Sequence, residues 1–268
     1  MPFDSKRING PEVTQPVVYK SKSNNNEPLI RKDGCRQDGR RPDELRPMFL
    51  RAGVVSQAKG SAYIEMKNTK VICAIYGPRE APRRQEFSMK GRLTCEFKFA
   101  PFSCIYRRKH IQDAEEKENS YLVVQALEPA VCLEKFPKAQ VDIYITVLEN
   151  DGSALSAGII CASVALAMAG IEMLDLVSAC TMVQSDNHIL MDPCEKEIHS
   201  SLASGHTMVA ILPSLNVVSG LVQEGELTQD AATKALSSCI EGCARILPIM
   251  QQALVKNIKT QFTATKPS

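Results

Sequence analysis

The sequence has no tryptophan, and aromatic residues make up only 5% of its 268 residues. Few aromatic side chains are therefore available to stack on the bases of a nucleic acid. An excess of one charge is also lacking, since 32 Lys and Arg residues face 30 Asp and Glu residues, for a net charge of +2. Any contact with nucleic acid must come from local basic clusters and not from a global positive field.

Metal-ligand spacings are missing as well, although the chain has ten cysteines. No Cys-x-x-Cys pair occurs, and the four histidines, His110, His188, His199 and His206, are isolated. Cys239 and Cys243 lie one helical turn apart but have no histidine pair to complement them. We therefore expect no metal and no other cofactor. The cysteines lie mostly in apolar runs, which favours buried, reduced thiols in a cytosolic or nuclear protein.

Only one long hydrophobic stretch is present, residues 153–171. It approaches the roughly 20 residues that cross a bilayer, but it is rich in Ser and Gly, and Asp151, Glu172 and Asp175 crowd its ends. The polar N-terminus shows no apolar segment of a secretory signal. We expect a tightly packed, buried helix here.

Hydrophobic periodicity predicts strands and helices in two similar packets. Val141, Ile143, Ile145 and Val147 alternate as in a half-buried strand. Further strands are expected at 49–58, 61–66, 70–76, 93–99, 176–184, 189–191, 207–212 and 217–222, and further helices at 114–136 and 228–259. Gly77-Pro78 should end the hairpin of residues 61–76, Pro129 should kink the helix that contains it, and Pro248 should interrupt the last helix.

These elements predict an α/β (α+β) protein with two pseudo-repeated β-β-α packets in one domain, and mixed sheets with helices between them. Residues 1–33 are polar and contain several residues that disfavour secondary structure, so we expect a flexible N-terminal tail. The domain should span residues 34–260, and residues 261–268 should be a short C-terminal tail.

The segment Glu149–Gly158 is the most informative part of the chain. A strand enters it, and the buried helix begins in it with free backbone N–H groups, an arrangement that attracts phosphate. An enzyme that acts on phosphate would normally add an Arg or Lys, because charge-assisted contacts are roughly twice as strong as neutral ones. This segment offers Ala154 and Leu155 instead.

Three groups of motifs follow one another along residues 38–255. They are Asp38-Gly39-Arg40 to Arg46-Pro47 with 60–63, 69–71 and 76–80; Leu127-Glu128-Pro129 with 136–139; and Asp151-Gly152-Ser153 with 165–171 and 190–193. Together they resemble the RNase PH family of phosphorolytic exoribonucleases and its relatives in the RNA exosome ring. Residues 57–63, 127–131 and 251–255 are most similar to the Mtr-type ring subunits of the eukaryotic exosome core.

The resemblance implies an inactive site. Active members hold phosphate with Gly-Thr-Arg at the start of the central helix, which corresponds here to Ser153, Ala154 and Leu155. Their acidic pair corresponds to Ile198 and Gly205; a register shift of one residue brings in Glu197 but leaves its partner position empty. Asp151 and Asp192 are interpreted first as turn formers, with a catalytic acid as the alternative for Asp151. No catalytic residue is therefore expected.

Basic loops are the candidate RNA contacts, with solvated surface as the alternative interpretation. The residues are Arg79, Arg83, Arg84, Lys90, Arg92, Arg107, Arg108 and Lys109. The resemblance places Arg79, Arg83 and Arg84 in a loop that lines the narrow part of a ring's central pore. Contacts there would be to phosphates and independent of base sequence.

The function implied by the resemblance is that of a non-catalytic structural subunit of the exosome ring, which supports 3′-to-5′ RNA processing and degradation, including that of rRNA. Expected partners are other RNase PH-like subunits in a hetero-hexameric ring, RNA-binding cap subunits, a separate catalytic nuclease and RNA, in the nucleus, nucleolus and cytoplasm. Two alternatives remain open: an active phosphorolytic exoribonuclease and a stand-alone RNA-binding module.

Overall fold

The computed structural model describes residues 29–31, 33–80, 89–185, 188–200 and 202–264, with side chains up to residue 260. The strands are β1 (Met48–Ala52), β2 (Gly60–Met66), β3 (Thr69–Glu80), β4 (Arg92–Phe99), β5 (Ala139–Glu149), β6 (Ser178–Ser185), β7 (His188–Met191), β8 (Ala203–Leu212) and β9 (Val217–Gly225). The helices are α1 (Ala114–Leu127), α2 (Ala154–Met168), α3 (Glu195–Ile198) and α4 (Gln229–Ala264).

The strands form two sheets, one from each half of the domain. The first has five strands in the order β1-β2-β3-β5-β4, and it is mixed because β4 runs parallel to β5. The second has four antiparallel strands in the order β7-β6-β8-β9. This arrangement confirms the predicted α+β architecture of two similar packets.

Helix α2 lies at the centre of the core and contacts β2, β3 and β5 of the first sheet and β6 and β8 of the second. Its residues from Ser156 to Leu166 are all buried, because a helix without a polar face is stable only when it is covered on all sides. Opposite it, Val141, Ile143, Ile145 and Val147 of β5 are no more than 1% exposed. Both predictions, the alternating strand and the buried helix, are confirmed.

Helix α1 covers the free edge of β4. The backbone N–H of Phe97 donates to the Ser120 hydroxyl at 2.9 Å, and that of Phe99 donates to the Glu116 carboxylate at 2.8 Å. Edge strands with unpaired N–H groups tend to pair with other chains. The two side chains therefore satisfy donors that would otherwise be open to intermolecular pairing.

Three expectations about prolines are wrong. Helix α1 ends at Leu127 and is followed by short 3-10 helices at Glu128–Ala130 and Leu133–Lys135, because Pro129 cannot donate a hydrogen bond and its ring crowds the preceding turn. Strand β3 continues past a cis Gly77–Pro78 bond to Glu80, since β5 still pairs with it beyond a bulge. Helix α4 runs through Pro248 without interruption.

The strand predicted at 49–58 is shorter in the structure: β1 ends at Ala52, where its pairing with β2 stops and Gly53 follows with φ of +77°. The remaining boundaries lie within a few residues of their predicted positions. The hairpin between β6 and β7 forms as expected, although residues 186 and 187 in its turn lie outside the described residues. Helix α4 extends to Ala264, into the segment expected to be the C-terminal tail. In the described part of the chain, no helix combines the length and apolarity needed to cross a membrane.

Candidate functional site

The turn between β5 and α2 has an unusual backbone. Gly152 has φ of +86°, and Ser153, which precedes the first residue of α2, has φ of 57°. A Cβ on Gly152 would lie 2.6 Å from the Pro193 carbonyl oxygen, so the position requires glycine. The Ser153 hydroxyl donates to the same carbonyl at 3.2 Å. The hydroxyl is therefore turned into the protein and not toward a ligand at the helix start.

No side chain of the first turn of α2 brings a positive charge to its N-terminus. Ser153 and Ala154 are buried, and Leu155 is half-buried. The nearby guanidinium of Arg46 donates to the carbonyl oxygens of Asp151, at 2.9 Å, and Gly152, at 3.2 Å. Because Arg46 is 2% exposed and lies behind the turn, it stabilises the loop from inside.

The positions that correspond to the acidic pair are on different elements. Ile198 is the last residue of α3, and Gly205 lies on β8 between Gln184 and Gly225. A Cβ on Gly205 would lie 2.5 Å from the Glu224 carbonyl oxygen, so no larger side chain fits there without movement of the backbone. The strand pairing therefore disfavours a carboxylate at this position.

Glu197, the alternative in the shifted register, faces inward. Its carboxylate accepts a hydrogen bond from the Cys194 backbone N–H at 2.9 Å and lies 3.8 Å from the buried guanidinium of Arg36. It therefore caps α3 and balances a buried charge.

Sequence reasoning missed Glu195, which lies beside the turn. Its backbone N–H donates to the Asp151 carbonyl oxygen at 3.2 Å. Burial raises the pKa of the Glu195 carboxyl, and Asp151 and Glu115 add to this, against the opposing effects of His199 and Arg108. No local pattern identifies Glu195, because only the packing of α3 on the turn brings it there.

Asp192 does occupy a turn, with φ of 51°, as its Asp-Pro sequence predicted. Its carboxylate is also buried and binds Arg46, a partner that the sequence did not reveal. Asp151 likewise lies in a turn, where its carboxylate accepts a hydrogen bond from the Asn68 side chain at 3.0 Å. His206 is half-buried, with Nε2 3.6 Å from the Glu224 carboxylate.

Part of the predicted RNA-contact set lies at one end of the first sheet. Arg79 on β3 and Arg92 on β4 flank Gln140 of β5 from opposite sides. The Arg79 Nε lies 2.5 Å from the buried carboxylate of Asp142, and Lys90 lies 3.5 Å from Glu134. Arg83 and Arg84 lie outside the described residues.

The other part, Arg107, Arg108 and Lys109, follows the opposite end of β4. At about 3.3 Å per residue, the eight residues of β4 separate the two groups by more than 20 Å. Arg108 is folded back: its guanidinium carbon lies 4.1 Å from the centre of the Phe99 ring, and Nη2 lies 2.9 Å from Glu115. Arg107 and Lys109 are exposed.

The described residues form no group of side chains suited to binding a metal ion. Within the ranges that the structure describes, no three His, Cys, Asp or Glu side chains come together in a way that could hold an ion. Burial raises the pKa of the Cys95, Cys239 and Cys243 thiols to about 12, which keeps them protonated and weakly nucleophilic.

Comparison with known proteins assigns a family to this fold. Residues 44–172 match the family model described as "3' exoribonuclease family, domain 1", RNase_PH. The human protein named Exosome complex component MTR3 is 39% identical over the whole of both chains.

Two solved structures share the fold. One is Rrp46 of rice, with a TM-score of 0.72 and 24% identity over 82% of this chain and 100% of that one. The other is a chain of the Archaeoglobus fulgidus exosome with RNA bound to its active site, with a TM-score of 0.69 and 22% identity over 81% of this chain and 92% of that one.

Proposed function

The chain belongs to the 3′ exoribonuclease (RNase PH) family as an MTR3-like member, and we propose that it is a non-catalytic structural subunit of an RNA exosome ring. The observation that carries this proposal is the 39% identity to human MTR3 over the full length of both chains. A match that covers the whole of both chains favours the same role in an assembly.

The β5–α2 turn supports the non-catalytic part of the proposal. Phosphorolysis needs inorganic phosphate held beside the scissile bond and compensation of the charge that develops on it. The start of α2 provides Ala154 and Leu155 where a cation is needed, and the neighbouring residues Asp151 and Glu195 are acidic and supply no positive charge. Loss of one preorganised donor typically costs about 10²–10³ in rate, and loss of a general acid about 10²–10⁴.

The proposed partners are other RNase PH-like subunits in a hetero-hexameric ring, RNA-binding cap subunits and a separate catalytic nuclease. The proposed sites of action are the nucleus, nucleolus and cytoplasm, in rRNA processing and RNA degradation. Arg79, Lys90 and Arg92 at one end of the first sheet are the proposed pore-side RNA contacts. Their contacts would be to phosphates and would weaken with salt.

Two measurements test the proposal. The full-length chain, tagged and expressed in its own cells, should co-purify with RNase PH-like subunits and elute as a ring and not as a monomer. With single-stranded RNA and inorganic phosphate, the purified chain should release no nucleoside diphosphates above a no-enzyme control, whereas an active phosphorolytic family member in parallel should release them.

Either of two results overturns the proposal. Phosphate-dependent release of nucleoside diphosphates that follows the chain through purification would show an active nuclease. Elution of the native chain as a monomer that binds RNA without other subunits would show a stand-alone RNA-binding module.

A further inference from the structure

The loop that connects β4 to α1 presents a concentrated set of apolar side chains to solvent. Phe102 is 69% exposed, Tyr106 57%, Ile105 51% and Ile111 65%. Single exposed apolar residues are common on any protein, but a cluster within one loop indicates a contact surface. We call residues 101–111 the aromatic loop.

Basic side chains directly follow Tyr106 in the same loop. Arg107 and Lys109 are both exposed. Among the described residues, neither Arg107 nor Lys109 pairs with a carboxylate, in contrast to Arg108 with Glu115. The surface is therefore both apolar and positively charged.

The backbone of the aromatic loop is held in place before any ligand arrives. The Ser103 N–H donates to the Ala100 carbonyl at 2.9 Å, and the Arg108 N–H donates to the Pro101 carbonyl at 3.1 Å. The Arg108 guanidinium packs on the Phe99 ring and contacts Glu115 and the Cys104 sulfur. A preorganised loop loses less conformational entropy when it binds.

The aromatic loop borders the β5–α2 turn. The Asn150 N–H donates to the Ser103 carbonyl oxygen at 2.9 Å, and Asn150 directly precedes Asp151-Gly152. A strand of RNA that contacts the loop would therefore pass beside the β5–α2 turn.

We infer that the aromatic loop is a stacking platform for the unpaired bases of single-stranded RNA; this rests on the proposed function, because it names the ligand of one of its basic loops. Phe102 and Tyr106 provide π faces, and Arg107 and Lys109 contact phosphates. Arg108 positions the loop and does not contact RNA. Sequence-independent binding to single strands needs this combination of aromatic faces and cations.

Single-stranded RNA fits better than a protein partner. An apolar protein surface would bury Arg107 and Lys109 without anions, and desolvation of unpaired charges is costly. Single-stranded RNA supplies phosphates beside the bases. A duplex presents the phosphates but keeps its bases stacked inside.

The test is fluorescence anisotropy of labelled oligo-adenylate with the full chain in the assembly in which it purifies. The double variant Phe102→Ala/Tyr106→Ala should bind roughly 5- to 100-fold more weakly, with an unchanged dependence on salt, because it removes stacking and no cation. Arg107→Gln/Lys109→Gln should weaken binding and flatten the salt dependence, and Arg108→Gln should weaken binding without flattening it. Phe49→Ala is the matched control, since Phe49 is 52% exposed on β1 at the opposite edge of the first sheet.

Several results would overturn the inference while leaving the proposed ring function intact. These are no binding of oligo-adenylate by the wild-type assembly, equal binding by wild type and the double aromatic variant, or equal weakening for an RNA duplex. Loss of ring subunits from the Phe102→Ala/Tyr106→Ala variant would show instead that the loop docks on protein. Failure of the wild-type chain to join a ring would contradict the proposed function separately.

Discussion

Arg46 and Asp192 form a buried, two-point ion pair between segments 146 residues apart. Nη2 of Arg46 lies 2.6 Å from one carboxylate oxygen of Asp192, and Nε lies 2.9 Å from the other. The side chains are 0% and 2% exposed. Burial by itself raises the pKa of Asp192, but the hydrogen bonds and charge of Arg46 outweigh it and lower that pKa. The pair thus joins the segment before β1 to the turn after β7, beside Gly152.

Replacement of one partner should be strongly destabilising. Asp192→Asn leaves the Arg46 charge buried without its counter-ion, and such changes typically cost about 3–5 kcal/mol in the free energy of unfolding. Urea denaturation measures the loss. The control is Glu149→Gln, which removes the exposed partner of Lys70 and should leave the midpoint unchanged within error. A loss no larger than that of the control would show that the buried pair contributes little.

The lowered pKa of Asp38 leads us to expect a loss of stability in acid. Burial by itself raises its pKa, but hydrogen bonds from Arg40 and the charges of Arg40 and Lys67 lower it to about 2. An unfolded Asp titrates near about 3.9. Because the folded pKa is the lower one, the stabilisation is complete above pH 4 and disappears as the pH falls toward 2.

The Asp38→Asn variant should therefore melt at a lower temperature than the wild type at neutral pH, and the difference should shrink as the pH falls from about 4 to about 2. Thermal unfolding followed by circular dichroism across this range checks the prediction. A difference that stays constant with pH would contradict the ion pair between Asp38 and Arg40.

Local patterns sufficed for the parts of the fold whose signal lies within one element. The alternation of apolar and polar residues predicted β5, and an uncharged apolar run predicted α2. Both patterns follow from burial, of one face of the strand and of all sides of the helix. The end of α1 and the continuation of β3 past Gly77-Pro78 could not be predicted in this way. They depend on which strand or turn lies opposite, and that is a property of the tertiary structure.

The candidate site shows the same division. The place of the β5–α2 turn and the uncharged side chains at the start of α2 were readable from the order of residues 149–158. The inward orientation of the Arg108 side chain could not be predicted from the sequence, since it depends on contacts with Phe99 and Glu115. The position of Glu195 beside the turn and the hydrogen bonds from Arg46 to the turn could not be predicted either. The exposure of Phe102 and Tyr106 was not predictable either, because a loop has no periodic pattern that separates buried from exposed side chains.

Ser120 tests the protection of the β4 edge. Its hydroxyl donates to the Glu116 carbonyl one turn earlier and also accepts the Phe97 N–H from β4. Ser120→Ala leaves that buried N–H without an acceptor, which should lower the free energy of unfolding by about 1–3 kcal/mol. Light scattering on mild heating should also show earlier aggregation, because an open edge can pair with another chain.

Ser237→Ala is the matched control for Ser120→Ala. Ser237 makes the same bond to the carbonyl one turn earlier, that of Thr233, but it is exposed on α4 and accepts no strand N–H in the described structure. Its loss should change stability by no more than about 0.5 kcal/mol. Equal effects of the two substitutions would mean that the helix bond matters and the edge contact does not.

Gly152 tests whether the β5–α2 turn is fixed by packing as well as by backbone conformation. Gly170, at the end of α2, has a similar φ of +71°, but a Cβ there would meet nothing within 4 Å. Gly170→Ala should therefore cost only the left-handed backbone penalty of about 1–2 kcal/mol. Gly152→Ala incurs the same penalty and also forces a methyl group against the Pro193 carbonyl, which adds about 1–3 kcal/mol. Urea denaturation of both variants separates the two costs, and equal destabilisation would mean that Pro193 moves aside freely and that the turn is not held by the segment after β7.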